Sequence, residues 1–312
     1  MKILITGVHG FVGSNLVEAL KKEHTIYGLD IINPQKDGVR YTFPWDFLDK
    51  PGEIPEVDAI IHLAGKAHDT KNQSAAEVYF KVNTGLTQKI FDWFLSQPSC
   101  RKFVFFSTAK AAADKVDGIL TEDVTPAPVG PYGESKIKAE QYILSKMPVD
   151  KQVYIFRPCM IHGPGNKGNL NLLYNVVRKG IPWPLGAFEN RRTFTSVENI
   201  CFAVNGVLTR DVPSGIYNMG DDEALSTNEL IEEICRSLGK RAHIWHLPKG
   251  LMNGMAKLGG ALHLPLNPER LRKLTENYIS SNEKIKKALG VEKMPIDARE
   301  GLQRTLKSFQ TD

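Results

Sequence analysis

The stretch from Lys2 to Gly13 constrains this fold more than any other part of the chain. Residues 2–6 (Lys-Ile-Leu-Ile-Thr) form a short apolar run of strand composition, and Phe11 through Glu23 carries apolar residues at helical spacing (Phe11, Val12, Leu16, Val17, Leu20). Between them, Gly7-Val8-His9-Gly10-Phe11-Val12-Gly13 places glycine at every third position. A strand that turns at once into a helix needs backbone angles and close approaches that glycine tolerates best. The start of such a helix presents N–H groups and the positive end of its dipole, which suits a pyrophosphate. The next apolar strand, Thr25–Asp30, ends in a carboxylate about 20 residues on, where the ribose hydroxyls of a dinucleotide belong.

The alternation continues down the chain. Asp58–Ala64, Lys102–Phe106 and Gln152–Phe156 read as strands, and Glu77–Leu95 and Pro131–Met147 read as helices. Lys102–Phe106 is almost continuously apolar, as a strand covered on both faces would be. This pattern predicts an α/β fold built on a parallel sheet flanked by helices. After Arg157-Pro158, Pro and Gly become frequent through Pro184 and the alternation weakens. Thr193–Val197 and Gly215–Met219 still read as material of the sheet domain. Thr227–Leu238 reads as a helix capped by Ser226 or Thr227, with Glu229 in its first turn. A length of 312 residues suits about two domains. The expected division is a dinucleotide-binding domain over 1–165 with a return segment 192–222, and a smaller α/β C-terminal substrate lobe from 166–191 and 223–312.

Composition excludes several classes. Lys and Arg number 40 and Asp and Glu 35, a net charge of +5, which suits an anionic small ligand and does not point to nucleic acid. No run approaches the ~20 apolar residues of a membrane span. The apolar start falls short of the ~7–15 residues of a signal peptide, and the four cysteines are isolated, as in reduced, buried thiols. A cytoplasmic protein without membrane insertion is expected. His62, His68 and His162 lack metal-ligand spacing, so no metal is expected. Lys284-Ile285-Lys286-Lys287 reads as a solvated helix face.

Chemistry enters at Pro131-Tyr132-Gly133-Glu134-Ser135-Lys136, which puts Tyr132 and Lys136 on one helix face. A phenol is a poor base at neutral pH, and a nearby ammonium, or the positive ring of NAD, stabilises its phenolate. The pair can then take a proton from a sugar hydroxyl while hydride leaves the same carbon. Phe103-Val104-Phe105-Phe106-Ser107-Thr108 ends in hydroxyls at the carboxyl end of a strand, where ligands bind in such sheets. Thr108 is placed to share the reacting hydroxyl with Tyr132. Asp30 accepts hydrogen bonds from both ribose hydroxyls and repels a 2′-phosphate, and Ile31 and Ile32 supply no cation, which favours NAD(H) over NADP(H).

Thr6-Gly7-x-x-Gly10-Phe11-x-Gly13 with the Thr108–Tyr132–Lys136 set resembles the extended short-chain dehydrogenase/reductase family, also called the NAD-dependent epimerase/dehydratase family. The resemblance implies a Rossmann-type sheet and NAD, with Thr108, Tyr132 and Lys136 as catalytic residues. Gly7, His9, Gly10, Phe11, Val12 and Gly13 match its phosphate turn and Asp30 its ribose acid. Asp46-Phe47 matches the pair beside adenine. Leu63-Ala64-Gly65, after His62, matches the loop under the nicotinamide ribose, and Asn83 and Ser107 match further cofactor positions. Arg157-Pro158 and His162-Gly163-Pro164-Gly165 match the Arg-Pro and Tyr-Gly-Pro-Gly segments, with His162 in place of tyrosine.

The departures matter as much. Dehydratases of this family carry an acidic pair after the catalytic hydroxyl residue, whereas Ala109-Lys110 stands here, which argues against dehydration. Ala111-Ala112-Ala113 replaces an aromatic segment and implies a more open wall beside the sugar. On the substrate side, Arg192 matches the arginine that clamps the nucleotide diphosphate. Asn169, Lys110 and a C-terminal arginine, Arg270 or Arg272, are further candidates.

The C-terminal segment resembles the branch holding bacterial UDP-sugar 4-epimerases and UDP-N-acetylquinovosamine-type 4-ketoreductases. The resemblance therefore implies a 4-epimerase acting on a UDP-hexose or UDP-N-acetylhexosamine, with an NAD(H)-dependent C4 dehydrogenase/4-ketoreductase as the alternative. A non-catalytic dinucleotide sensor is disfavoured by the intact Tyr132 and Lys136. The family commonly dimerises through two helices per subunit, for which Glu77–Leu95 and Pro131–Met147 are the candidates.

Overall fold

The computed structural model describes residues 1–50, 52–66, 75–166, 168–262 and 266–310. Its central sheet has seven parallel strands: β1 (Lys2–Thr6), β2 (Thr25–Leu29), β3 (Val39–Phe43), β4 (Ala59–His62), β5 (Lys102–Phe106), β6 (Gln152–Pro158) and β7 (Gly215–Met219). Their order is β7-β6-β5-β4-β1-β2-β3, so the winding reverses beside β1. The crevice outside the carboxyl ends of strands at such a reversal is where ligands bind in open α/β sheets.

Alternate residues of these strands feed two apolar layers, as a period of two requires. Ile3, Ile5, Val104 and Phe106 face the layer built by the helices Phe11–Leu20 and Val197–Thr209. Leu4, Ile60, Phe103 and Phe105 face the layer built by Leu86–Ser96 and Pro131–Ser145. Each such fully buried side chain contributes about 1.5–3 kcal/mol relative to exposure. A second core, with Tyr174, Trp183, Phe194, Ile234, Leu302 and Leu306, holds the smaller C-terminal part together.

The structure departs from the sequence reading in four places. The expected helix Glu77–Leu95 is a helical turn (Ala76–Tyr79), a wider π-turn (Phe80–Gly85) and a helix (Leu86–Ser96). Thr193–Val197 does not join the main sheet. Arg192–Ser196 instead pairs with Met160–His162 and Ala224–Leu225 in a separate three-stranded sheet. β3 was not anticipated, because Val39-Arg40-Tyr41-Thr42-Phe43 mixes polar residues into an edge strand. The expected solvated face near Lys286 is partly interior: Ile285 and Lys286 are buried, and Lys286 pairs with Asp222 at 3.1 Å.

The helix Thr227–Ser237 is capped by Ser226, which closes a capping box with Glu229. All four cysteines are free thiols, three of them buried and Cys201 half-buried. Among the described residues no helix is long and apolar enough to cross a membrane.

Candidate active site

β1 delivers Thr6 to the crevice, and Gly7 turns the chain there at a φ of 68°. A Cβ on Gly7 would lie 3.0 Å from the Ala64 backbone nitrogen, and one on Gly13 only 2.4 Å from the Gly7 carbonyl oxygen. Side chains at either position would displace backbone, so the glycines pack β1, the turn and the helix closely enough to admit a ligand's phosphates. The helix begins at Gly10 with no side-chain cap. Asp30 lies against the turn: its carboxylate accepts the His9 N–H at 3.1 Å and the Ile31 N–H at 2.7 Å. The His9 imidazole meets the Thr42 hydroxyl at 3.1 Å, and burial lowers its pKa.

A cation that the sequence did not reveal folds back here, since Lys36 donates to the Ser14 hydroxyl at 2.5 Å. The Phe11 ring lies against Gly163 and Gly165, and Asn15 donates to the Pro164 carbonyl at 3.2 Å. Val12 is half-buried in the first turn. Asp46 and Phe47 open a short 3-10 turn after β3. Phe47 packs on Phe43, and Asp46 is exposed, paired with Lys50 at 2.8 Å.

β4 brings His62 in at the same level, fully buried. The Thr6 hydroxyl accepts the N–H groups of Leu63 (3.1 Å) and Ala64 (3.0 Å), so its own proton goes to His62 Nδ1 at 2.7 Å. The Nε2–H therefore faces Thr87 Oγ1 at 2.9 Å, and that hydroxyl donates to the Asn83 carbonyl at 2.6 Å. Burial, with Lys136 adding to it, holds His62 well below its ordinary pKa and keeps it neutral. From the π-turn, Asn83 accepts the Lys66 N–H at 2.7 Å and donates to Ser135 Oγ at 3.0 Å, and Ser135 donates to the Tyr132 carbonyl at 2.8 Å. Two runs of hydrogen bonds, one from Thr6 to the Asn83 carbonyl and one from the Asn83 side chain to the Tyr132 carbonyl, thus meet at Asn83 and tie β1 to the helix that carries Tyr132 and Lys136. His68 lies outside the described residues.

The sequence-predicted catalytic set comes together. Tyr132 is hydrogen-bonded with Thr108, which ends the loop from β5. Lys136 donates to the Phe106 carbonyl at 2.8 Å and is packed so tightly that a Cβ on Gly65 would lie 3.2 Å from its Nζ. Burial pulls Lys136 down to about 8, with Glu140 opposing. Burial also raises Tyr132 above its ordinary value, with the Thr108 bond opposing, so the lowering expected from Lys136 is not realised in the chain alone.

Behind them sits a polar group that the sequence reading missed. Glu140 is wholly buried, accepts a bond from Ser107 and takes a two-pronged pair from Arg157, whose Nη2 lies 2.6 Å away. Ser107 thus faces Glu140. Pro158 ends β6, buried beside this pair. The available signal was spacing, since Glu140 follows Lys136 by one helical turn.

Thr108 also caps a short helix, Ala109–Ala112, and accepts the Lys110 N–H at 3.3 Å. Ala109, Ala112 and Ala113 are buried and pack with Leu120, Cys159 and Tyr278. The Lys110 ammonium donates to the Asp114 carbonyl at 2.7 Å, pairs with its carboxylate at 3.2 Å, and lies 4.6 Å from the Tyr278 ring centroid. Arg272 reaches Asp114 at 3.3 Å and Glu276 at 2.9 Å. Although burial pushes the Asp114 carboxyl up, Lys110 and Arg272 bring it below its ordinary value.

Arg192 donates to the Lys273 carbonyl at 2.5 Å, and burial pushes the Cys159 thiol up to about 12 despite the charges of Arg192 and Lys110. Asn169 is exposed at the start of the helix Asn169–Arg178, and Arg270 is exposed on the helix Pro268–Thr275, whose Arg272 turns inward. Among the described residues no cluster of three or more His, Cys, Asp or Glu could hold a metal.

The NAD dependent epimerase/dehydratase family model matches residues 3–220. The chain is 29% identical to UDP-glucose 4-epimerase of Vibrio cholerae, covering 98% of this chain and 95% of that protein. It is 27% identical to the N-acetyl-alpha-D-glucosaminyl-diphospho-ditrans,octacis-undecaprenol 4-epimerase of Escherichia coli O157:H7, covering 98% and 94%. The crystal structure of UDP-glucuronic acid 4-epimerase from Bacillus cereus in complex with NAD superposes with a TM-score of 0.75 over 100% of this chain and 99% of that one; at 20% identity this is a likeness of fold. The family match spans more than two thirds of the chain and takes in the glycine turn, β1 to β7 and all three residues Thr108, Tyr132 and Lys136. The chain belongs to the NAD-dependent epimerase/dehydratase family of enzymes.

Proposed function

We propose that this chain is a 4-epimerase of a nucleotide-diphosphate sugar, a UDP-hexose or UDP-N-acetylhexosamine. The observation that carries the reading is the Thr108–Tyr132 hydrogen bond with Lys136 fixed one helical turn away, its ammonium close to Gly65 beyond the carboxyl end of β4. The glycine turn of Gly7, Gly10 and Gly13 suits the NAD pyrophosphate, and Asp30 suits the adenosine ribose. Asp46 and Phe47 would flank the adenine. Leu63-Ala64-Gly65, Asn83 and Lys136 would hold the nicotinamide half. When bound, NAD supplies hydride acceptance from C4, its return, and a positive ring that favours the Tyr132 phenolate.

The rest falls to the chain. Thr108 holds the C4 hydroxyl, and Tyr132 takes its proton and returns one after the sugar has presented its other face. Lys136, kept in place by the Phe106 carbonyl, supports the phenolate by its charge. Asp114 is held ionised by Lys110 and Arg272 and Ala109 carries no acid, so neither serves the proton donation that loss of a sugar hydroxyl needs. Arg192 would supply a fork for the diphosphate, and Asn169, Lys110 and Arg270 are the further candidates for the same ligand. The reading takes a homodimer as the active form, with the part-exposed Val78 and Leu144 contributing apolar surface from the two candidate helices.

The experiment is to incubate the purified enzyme with UDP-glucose or UDP-N-acetylglucosamine, add no cofactor, and follow the anomeric protons by NMR. C4-inverted product is expected, and Tyr132→Phe should lower its rate about 10²–10⁴-fold. Absence of inversion, with NADH formed in step with oxidised sugar once NAD is added, would replace the epimerase by a 4-ketoreductase.

A further inference from the structure

We propose that the helix Lys249–Ala261 docks this protein on an anionic membrane surface. The helix turns Met252, Ala256 and Gly259 inward. Leu251, Met255, Leu258 and, just past its end, Leu262 are 53%, 49%, 61% and 60% exposed. Their spacing of four, three and four residues lines them up in one stripe on the outer face. Trp245, four residues before the helix, is 54% exposed. Single exposed apolar residues are ordinary, whereas an aligned stripe marks a contact surface.

Charge identifies the occupant. Residues 240–275 hold seven Lys or Arg against one acid, Glu269, while the whole chain carries only +5, so this segment holds more than the entire positive excess. Lys240, Arg241, Lys249, Lys257 and Arg270 in it are exposed. A second copy meeting the same face would set these charges against one another, since a two-fold contact pairs a patch with itself. An apolar stripe on a segment rich in exposed lysine and arginine, with an aromatic residue nearby in sequence, fits the interface of a bilayer with acidic headgroups. There the helix lies in the plane, with no segment crossing. The neighbouring helix Pro268–Thr275 carries Arg272, which reaches Asp114, two residues past the short helix capped by Thr108. The inference stands apart from the epimerase reading, because its readout is partition and not turnover.

The test uses the full chain in flotation with vesicles of phosphatidylcholine alone or mixed with phosphatidylglycerol, at low and high salt. Flotation is expected with the mixed vesicles only, decreasing as salt rises. Leu251→Ser with Leu258→Ser should weaken partition at least about tenfold while circular dichroism and melting stay those of the wild type. The proposal is overturned if the wild type does not float with anionic vesicles, or if the double variant floats equally well. It is also overturned if light scattering shows the wild type self-associated through this stripe and the double variant dissociated.

Discussion

His62 shows how much of the site depends on partners remote in sequence. Its neighbours Thr6 and Thr87 lie 56 and 25 residues away, and Asn83 meets Ser135 across 52. Spacing along the chain carries no trace of such bonds, whereas Tyr132 and Lys136 are legible because one helical turn separates them. Glu140, on the same face, was within reach of the same logic. The buried, neutral His62 has a direct consequence. Its folded pKa lies well below 6.5, so below that pH the unfolded chain takes up a proton that the folded chain refuses. Stability should therefore fall with acidification by up to ~1.4 kcal/mol per pH unit from this group. Urea unfolding of His62→Asn should give a shallower acid limb than the wild type between about pH 6.5 and 5. Equal limbs would show that His62 is not held neutral.

At the scale of elements, what repeats with a simple period was readable and what bends that period was not. β1, the glycine turn and β5 fall where the apolar runs place them. The π-turn Phe80–Gly85 hides inside a helical pattern, because its reason is the set of hydrogen bonds at Asn83 and not its apolar spacing. Thr193–Val197 reads as material of the sheet domain, but composition cannot say which sheet a strand joins, and Arg192–Ser196 lies in the separate three-stranded one. The glycine turn makes the sharpest prediction here. Gly13→Ala sets a methyl 2.4 Å from the Gly7 carbonyl oxygen, so the turn must shift. NAD binding, followed by fluorescence titration, should weaken at least about tenfold while circular dichroism stays that of a folded α/β protein. Unchanged binding would remove this turn from the cofactor site.

On the scale of the whole molecule, the carboxyl ends of β1, β4 and β5 carry the turn, His62 and Thr108, while Arg192 binds the Lys273 carbonyl and Arg272 reaches Asp114. The sheet was readable from alternation. The packing of the second part was not, because Pro and Gly interrupt its pattern and its core joins residues from Leu170 to Phe309. The net charge gave no sign that the basic residues crowd into one segment of that part. The central claim is that one hydride leaves C4 and returns to the same carbon on its other face. The direct measurement uses a UDP-sugar deuterated at C4, incubated with the enzyme without added cofactor and analysed by NMR and mass spectrometry. The account predicts the inverted sugar with deuterium kept at C4, and loss of that product in Tyr132→Phe. Inverted sugar with protium at C4, or a 4-keto sugar with deuterium accumulating on the nicotinamide, would contradict it.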